Sequence, residues 1–287
     1  MTWRAGIDVG GTKCLGVAID DDAVVQASIR KPTPPANQLA DLLVEIFDEL
    51  GECASLGVGV PGLITPDGVI RASPNLRGAT EIPLMAQLEE RLNSRVWVDN
   101  DANCACLAEF KIGAARGFND VWMVTLGTGI GGGLISGGLL QRGAHGYAGE
   151  IGHMVVQLDG LKCPCGRFGC WERYASGSAL SHLAGGERGE SLIARATLGD
   201  RDAVAIVDEF AKWVAVGLAN LTNLTDPSCI VLGGGLATSS DVLMPAVQKW
   251  FSDALYSPQH RAHPRLCAAE LGEYAGAIGA ALLPSHD

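Results

Sequence analysis

The segment YAGEIGHMVVQLDGLKCPCGRFGCWE occupies residues 147–172 and has the most distinctive spacing in the chain. It contains one histidine and three cysteines in the pattern H-x9-C-x-C-x4-C, namely His153, Cys163, Cys165 and Cys170. Three thiolates and one imidazole form a donor set that tetrahedral structural zinc prefers. The glycines between the cysteines allow sharp bends that bring the four side chains together. We therefore predict a structural zinc site in this segment.

Two other interpretations of this segment are weaker. The cysteines could be merely buried and the histidine unrelated to them, but this spacing is typical of metal ligands. A disulfide is disfavoured because the chain has nine cysteines, an odd number, and shows no secretion signal. Glu150 and Glu172 flank the cluster and are not needed to complete a four-ligand site. We interpret the zinc as a clip that fixes the loop carrying Glu150, His153 and Glu172.

The length indicates two domains, and the composition disfavours some classes of partner. The chain has 287 residues, of which 47 % are apolar, enough for sizeable hydrophobic cores. Its net charge of -11 comes without a basic stripe, so nucleic acid and anionic membranes are poor partners. The first residues lack the charged and apolar regions of a signal peptide, and the apolar stretch 275–283 is far shorter than the ~20 residues of a membrane helix. We expect a soluble cytoplasmic protein.

The first part of the chain begins with an antiparallel meander and then alternates helices and strands. Short apolar runs bounded by glycine or proline predict strands, and apolar residues at helical spacing predict helices. The predicted strands are residues 3–8, 14–20, 23–30, 56–60 and 96–98. The predicted helices are residues 38–53, 84–92 and 102–115.

The same order of elements then occurs a second time. The predicted strands are residues 121–126, 132–136, 229–232 and 266–269, and the predicted helices are residues 204–224, 241–255 and 275–283. This order predicts an α/β fold of mixed sheets covered by helices, with the zinc segment as an insertion. We expect two domains, residues 1–117 and 118–274, with the C-terminal helix at 275–287 closing the first. A cleft between two such halves is the usual place for a small-molecule site.

The first glycine turn lies in DVGGTK at residues 8–13, directly after a predicted strand. Glycine lets the backbone approach a phosphate closely, and consecutive amides form an anion-binding cradle. Asp8 is placed to hold Mg²⁺, which prefers carboxylate and phosphate oxygens, and Thr12 can donate a hydrogen bond. The spacing is not that of a Walker A loop, and a hairpin without a ligand is the alternative interpretation.

The second glycine turn lies in LGTGIGGG at residues 126–133, again between two predicted strands. Thr128 matches Thr12 in role, and two such loops could grip one polyphosphate from both sides. A plain glycine-rich hairpin is the alternative, and the duplication weakens it. Gly233-Gly234-Gly235 could let a nucleoside lie against bare backbone, although a strand-to-helix turn requires glycine in any case.

The segment DNDAN at residues 99–103 lies where a buried strand gives way to a helix. Reactive side chains often occupy such positions. A carboxylate there can accept the proton of a substrate hydroxyl, as phosphoryl transfer requires. Asp101 is the first candidate for this base and Asp99 the second, while an aspartate that merely caps the following helix is the structural alternative.

Taken together, these motifs resemble the ROK family of sugar kinases and repressors. The resemblance extends in order along nearly the whole chain, through DVGGTK at 8–13, DNDAN at 99–103, LGTGIGGG at 126–133, GEIGH at 149–153 and CPCGRFGCWE at 163–172. The segment GCWERYASGSAL at 169–180 looks most like the ROK glucokinases. The resemblance implies a two-domain, actin-like ATPase fold related to ribonuclease H. It also implies ATP-dependent transfer of phosphate to the 6-hydroxyl of a hexose, and a homodimer or a dimer of dimers.

The resemblance also implies a role for individual residues. Asp101 corresponds to the family's catalytic base. The positions that correspond to sugar contacts are Asn75, Asn100, Glu150, His153 and Glu172. The positions that correspond to zinc ligands are His153, Cys163, Cys165 and Cys170. The predicted nucleotide-binding positions are Asp8, Gly10, Gly11, Thr12, Lys13, Thr128, Gly129, Gly131, Gly132, Gly133 and Gly234.

Several alternatives remain open at the level of sequence. The same motifs occur in kinases of N-acetylmannosamine or N-acetylglucosamine, and the pocket near the sugar's 2-position decides between them. A sugar-sensing repressor of the family would carry a helix-turn-helix domain before the kinase-like part, and here the phosphate loop already begins at Asp8. Acidic charge also disfavours DNA binding. A catalytically silent sugar-binding protein is less expected because Asp101 and both glycine turns are intact, and a phosphate donor other than ATP is possible.

Overall fold

Two five-stranded sheets with the same strand order dominate the computed structural model, which describes residues 3–236 and 240–285. In each sheet three strands form an antiparallel meander, and two later strands join it in parallel. This repeat confirms the predicted α/β fold with mixed sheets. The division at residues 117 and 118 stays a prediction.

The strands and helices follow in chain order. The strands are β1 (Trp3–Val9), β2 (Lys13–Ile19), β3 (Val25–Pro32), β4 (Cys53–Val60), β5 (Leu63–Ile64), β6 (Val69–Ala72), β7 (Thr80–Pro83), β8 (Val96–Asn100), β9 (Val121–Leu126), β10 (Ile130–Ser136), β11 (Leu139–Leu140), β12 (Cys229–Gly233) and β13 (Arg265–Ala268). The α-helices are α1 (Leu39–Leu50), α2 (Leu84–Leu92), α3 (Asp101–Lys111), α4 (Glu172–Ala175), α5 (Gly177–Leu183), α6 (Gly189–Thr197), α7 (Arg201–Thr225), α8 (Ser240–Ala254) and α9 (Ala275–Leu282).

The first sheet has the order β3-β2-β1-β4-β8, and the second has the order β11-β10-β9-β12-β13. Alternate residues of the central strands face opposite helix layers, so both faces are buried. In the first sheet one face packs against α1 and α2, and the other packs against α3 and α9. The long helix α7 and its neighbour α8 cover the second sheet.

Helix α9 returns to the first sheet and packs against it backbone to backbone. A Cβ added at Gly6 would lie 2.0 Å from the carbonyl oxygen of Ala277, and one added at Gly57 would lie 1.8 Å from that of Ala280. On the opposite side, a Cβ added at Gly279 would lie 1.7 Å from the carbonyl oxygen of Cys104 in α3. The small residues of α9 are therefore explained by close packing inside the protein.

Glu109 in α3 connects the two chain segments that run between the two five-stranded sheets. It is fully buried, and its carboxylate accepts hydrogen bonds from the backbone N–H of Ala114 at 2.8 Å, of Leu271 at 2.9 Å and of Glu270 at 3.2 Å. One segment leads from α3 into β9, and the other leads from β13 into α9. The same carboxylate thus anchors both crossings, meaning the two segments that run from one sheet to the other.

The main differences from the predicted elements concern short pieces and element ends. The sheet β5-β6-β7 has strands of two to four residues, too short to show an alternating pattern. Helix α1 ends at Leu50 rather than residue 53, because Gly51 adopts a φ of +92° and β4 begins at Cys53. Helix α3 ends at Lys111 rather than residue 115, where Glu109 binds the following turn. Within residues 3–236 and 240–285, no helix combines the length and apolar character needed to cross a bilayer.

Candidate active site

The first glycine turn connects β1 to β2 and exposes its backbone. The N–H of Gly10 donates to the carbonyl of Lys13 at 2.9 Å, which closes the turn, while residues 11–13 are exposed. Asn75 lies beside this turn, because a Cβ added at Gly11 would be 3.4 Å from the carbonyl oxygen of Asn75. The side chain of Lys13 forms an ion pair with Glu273 at 2.8 Å. The predicted phosphate-binding turn is therefore present as an open hairpin.

Asp8 lies at the end of β1, just before this turn. Its carboxyl group faces Gly276 of α9, where an added Cβ would lie 2.7 Å from the carboxyl carbon. The pKa of Asp8 is raised to about 7, chiefly by burial; the negative charge of Asp101 contributes to this rise, and Lys13 opposes it. A bound cation gives the greatest stabilisation to a carboxylate whose ionisation is otherwise disfavoured by burial.

The second glycine turn connects β9 to β10 and is held from behind by the start of α5. The N–H of Gly177 donates to the carbonyl of Gly127 at 2.7 Å, and the hydroxyl of Ser178 donates to that of Thr128 at 2.8 Å. A Cβ added at Gly129 would lie 2.7 Å from a carboxylate oxygen of Glu172. The turn thus lies between α5 and the end of the cysteine-rich segment.

The three glycines that follow lie within β10 and have a packing role. A Cβ added at Gly133 would lie 2.5 Å from the Cβ of Cys106 in α3, and one added at Gly132 would lie 2.5 Å from Ile151. Gly131 lies against Thr125, whose hydroxyl accepts its N–H at 3.1 Å. The contact of these three glycines with nucleotide remains a prediction. Their close packing explains why no larger residue stands at these positions.

The carboxylate turn joins β8 to α3, and Asn100 caps the helix. The side-chain oxygen of Asn100 accepts the N–H of Ala102 at 2.8 Å and that of Asn103 at 3.3 Å. Asp101 is therefore the first helical residue rather than the cap, although it also accepts the N–H of Ala102 at 2.9 Å. The pKa of Asp101 is raised to about 6, chiefly by burial; the hydrogen bond from Ala102 opposes this rise, and the nearby charge of Glu150 adds to it.

The other aspartate of this turn is unsuited to act as a base. Asp99 is buried, and its carboxylate forms an ion pair with Arg142 at 2.6 Å and accepts the side-chain N–H of Asn103 at 2.8 Å. A carboxylate bound in this way has no oxygen directed at a substrate. The structure therefore favours Asp101 over Asp99 as the proton acceptor.

The four predicted zinc ligands come together. The ligand atoms of His153, Cys163, Cys165 and Cys170 all lie within 4.8 Å of one another. Two bends at Gly166 and Gly169, with φ of +93° and +75°, let the cysteines converge. The sulfurs of Cys165 and Cys170 are 3.6 Å apart, close to the ~3.8 Å expected for two thiolates on one tetrahedral zinc. The donor set and its spacing fit a zinc ion.

Two carboxylates adjoin this cluster on either side of the histidine ring. Glu172 lies 3.7 Å from the Nδ1 of His153 and accepts a hydrogen bond from the thiol of Cys163 at 3.1 Å. Glu150 lies 3.9 Å from the Nε2 of His153. The cluster therefore determines the positions of both carboxylates relative to the imidazole.

Trp171 attaches the cysteine-rich segment to the core independently of any metal. It is fully buried, its indole N–H donates to the carbonyl of Trp213 at 2.7 Å, and its ring fills a notch at Gly217. A Cβ added at Gly217 would lie 1.9 Å from the ring. Cys170 and Glu172 are the direct neighbours of this anchor in the sequence.

A cavity of about 380 Å³ joins several of these features. Its lining includes the predicted site residues Asp8, Lys13, Asp101 and Gly234. It also includes Ala102 of the DNDAN segment and Gly235 of the third glycine run, together with residues outside every predicted motif, namely Ala105, Met123, Thr125, Ala269, Gly272, Glu273, Ala275 and Gly276. Gly276, together with Gly279 elsewhere in α9, is a sequence signal for this wall, because the two glycines stand inside an apolar helix.

Comparison with known proteins places the chain among sugar kinases. The family model described as the ROK family matches residues 4–286. The chain is 35% identical to a glucokinase of Streptomyces coelicolor, covering 98% of this chain and 97% of that protein. It is 34% identical to an N-acetyl-D-glucosamine kinase of Pasteurella multocida, covering 98% of each. A solved ROK family glucokinase from Streptomyces griseus, in complex with glucose and AMPPNP, superposes with a TM-score of 0.89 at 35% identity and 98% coverage of both chains.

Proposed function

The chain belongs to the ROK family, and from this membership we propose that it is an ATP-dependent sugar kinase that phosphorylates the 6-hydroxyl of glucose. The observation that carries the proposal is the position of Asp101 on the wall of a cavity shared with Asp8, Lys13 and Gly234. A base, a phosphate-binding turn and an acidic cation ligand thus border one space. The relatives named glucokinase, and the neighbour solved with glucose and AMPPNP, support the choice of substrates.

In the proposed reaction Asp101 accepts the proton of the 6-hydroxyl. With a pKa of about 6, this carboxylate is largely deprotonated at neutral pH and still basic enough to take the proton. The sugar oxygen attacks the γ-phosphorus of ATP in line, and the N–H groups of both glycine turns bind the phosphates. Asp8 would hold Mg²⁺, which offsets charge on the phosphoryl oxygens when bound. The sugar hydroxyls would be bound by Asn75, Asn100, Glu150, His153 and Glu172.

We further propose that His153, Cys163, Cys165 and Cys170 hold a structural zinc ion, consistent with their mutual spacing. Zinc would fix the ring of His153 between Glu150 and Glu172 and so order three sugar-binding side chains. Trp171 keeps the segment attached to the core, so loss of zinc should disorder the sugar-binding side of the loop without unfolding the protein. We also propose that the protein is a homodimer, which a mass measurement by light scattering would test.

A kinase of N-acetylglucosamine is the second candidate function. The observation that favours it is the 34% identity to such a kinase over nearly the whole chain. A coupled assay with ATP across glucose, mannose, N-acetylglucosamine and N-acetylmannosamine tests both candidates. We expect the highest kcat/KM with glucose, and a higher value with an acetylated sugar would overturn the glucose assignment.

The role of Asp101 is tested by Asp101→Asn. We expect kcat to fall by about 10²–10⁴-fold while glucose still binds in calorimetry, because the change removes the base but keeps the shape. Asp21→Asn, at an exposed turn residue, is the matched control and should leave kcat unchanged. Near-normal turnover of Asp101→Asn would remove Asp101 from its proposed role.

The role of the zinc is tested by Cys165→Ala, which removes one thiolate. We expect the variant to lose bound zinc, measured by elemental analysis, and to bind glucose much more weakly while remaining folded. Cys53→Ala, which alters a cysteine distant in sequence from the cluster, serves as the control. Unchanged glucose affinity in zinc-free protein would contradict the proposed clip.

A further inference from the structure

Asp99 is a buried carboxylate at the end of β8, directly before Asn100 and Asp101. The residue is 5% exposed, and both of its oxygens are engaged. Oδ2 lies 2.6 Å from the Nε of Arg142, while Oδ1 accepts the side-chain N–H of Asn103 at 2.8 Å and the backbone N–H of Asn100 at 2.7 Å. Asp99 therefore binds the backbone of Asn100 and the side chain of Asn103 and so holds the turn together.

Arg142 belongs to the second half of the molecule and begins the loop that leads to Glu150. Its carbonyl accepts the N–H of Ala148 at 3.0 Å, which closes the loop on itself. Gly149 then passes so close to β10 that an added Cβ would lie 2.4 Å from the carbonyl oxygen of Gly132. The backbone from Arg142 to Glu150 is thus held at both ends.

From this geometry we infer that Asp99 and Arg142 form a positioning pair, which keeps the turn carrying Asn100 and Asp101 in register with the loop carrying Glu150. The inference rests on the proposed function, because the sugar would be the group that both segments contact. Asp99 lies at the end of a strand of the first sheet, and Arg142 follows the last antiparallel strand of the second. The pair therefore connects the segment of the proposed base Asp101 to the segment of the proposed sugar ligand Glu150.

The energetics suit a positioning role. Charges that are shielded from water attract each other more strongly than exposed ones, and a buried carboxylate left without its partner is costly. The Arg142 side chain is 29% exposed and that of Asp99 is 7% exposed, so solvent screens the pair only partly. A displacement of about 1 Å between base and substrate can cost about 100-fold in rate.

The first test is a double-mutant cycle on kcat/KM for glucose. Asp99→Asn and Arg142→Gln should each lower it by about 100-fold, chiefly through kcat, with the KM for ATP unchanged. The double variant should lose far less than the product of the two single effects, since each single change already breaks the pairing that the other would break. It also serves as the folded reference if a single variant fails to fold, because an amide pair can still form a hydrogen bond.

The second test is chemical rescue. The pair borders a cavity of about 170 Å³ that is also lined by Met85, Trp97 and Gly146. Methylguanidinium added to Arg142→Ala should enter this space, pair with Asp99 and restore part of the lost kcat. Arg91→Ala, which removes a surface ion pair with Asp41, should be as active as the parent protein and gain nothing from the additive.

Two results would overturn the inference. The first is single variants that lose stability but keep the parent kcat/KM for glucose once the folded fraction is measured. The second is multiplicative effects in the double variant together with no rescue. Hydrogen exchange separates this inference from the proposed function, because Asp99→Asn should deprotect residues 99–103 and 142–150 together whichever sugar the protein phosphorylates. Deprotection of one segment alone would count against the pair even if the protein proved inactive on glucose.

Discussion

At the residue scale, the carboxyl groups of Asp8 and Asp101 border the same cavity. The negative charge of Asp101 makes ionisation of Asp8 harder. Burial raises the pKa of Asp8 to about 7 and that of Asp101 to about 6, and the charge of Asp101 contributes to the shift of Asp8. In the proposed reaction both groups must lose their protons, Asp8 to bind a cation and Asp101 to act as a base. We therefore expect the site to be active at neutral pH and above.

The pH dependence of the reaction should reflect these groups. We expect kcat/KM for glucose to reach its full value only well above pH 7 and to fall as pH decreases through 7 and then 6, because protonated carboxyls can neither hold a cation nor accept a proton. Initial rates across a pH series in constant ionic strength measure this. A profile that stays flat well below pH 6 would contradict it.

The same shift predicts a stability effect for Asp101→Asn. The folded pKa of about 6 lies above the unfolded value of 3.8, so the charged carboxylate costs stability above pH 6, and this cost disappears as pH falls through that interval. The variant should be more stable than the parent by up to about 3 kcal/mol at neutral and higher pH, with no gain in acid. Urea unfolding of the ligand-free protein at two pH values checks the sign. A gain independent of pH would point to another cause.

The sequence identified some site residues and missed others for physical reasons. Asp101 and the four proposed metal ligands were found because their motifs are local and their chemistry is specific. Arg142 and Glu273 were not found, because each acts through a partner far away in sequence and stands in no motif. The sequence already ranked Asp101 above Asp99, and the fold adds the physical reason, because Arg142 and Asn103 engage the carboxylate of Asp99.

At the scale of elements, the glycines in the central strands allow α9 to lie directly on the sheet. Gly57→Ala would place a methyl group against the carbonyl oxygen of Ala280, which cannot move without shifting the helix. We expect a loss of unfolding free energy of at least about 1–3 kcal/mol, together with lower activity, since Asp8 faces Gly276 on the same helix. Urea unfolding measures the loss.

Gly235→Ala is the matched stability control for this change. An added Cβ at Gly235 meets no atom within 4 Å, so unfolding should be little affected. Equal destabilisation by both substitutions would show that lost glycine flexibility, and not the clash with α9, is responsible.

The elements predicted from the sequence were mostly the long, regular ones. The antiparallel meander, α2 and α7 carry clear apolar periods, and the structure confirms them. The sheet β5-β6-β7 and the helices α5 and α6 escaped prediction, because such short strands, and helices of only 7 and 9 residues, show no stable period. The ends of α1 and α3 were misplaced because a glycine turn and the Glu109 side chain stop them.

At the scale of the whole molecule, Glu109 is the side chain that binds both crossings between the halves. Glu109→Gln replaces one accepting oxygen with a donor, so at least one buried backbone N–H loses its acceptor. We expect a loss of about 1–3 kcal/mol in unfolding free energy and, because any closure of the proposed sugar site would act through these crossings, a higher KM for glucose. Glu90→Gln, at an exposed position, is the control. Parent-like stability and KM in Glu109→Gln would contradict this.

The placement of α9 has a consequence for biosynthesis. The ribosome makes β1 and β4 early, yet the helix that covers them is encoded after α7, β12 and β13. At ordinary elongation speeds the bare glycine-lined face would wait on the order of ten seconds for its cover. The nascent chain should therefore depend on chaperones through most of its synthesis, and ribosome-bound chains arrested before α9 should remain sensitive to protease in their first hundred or so residues.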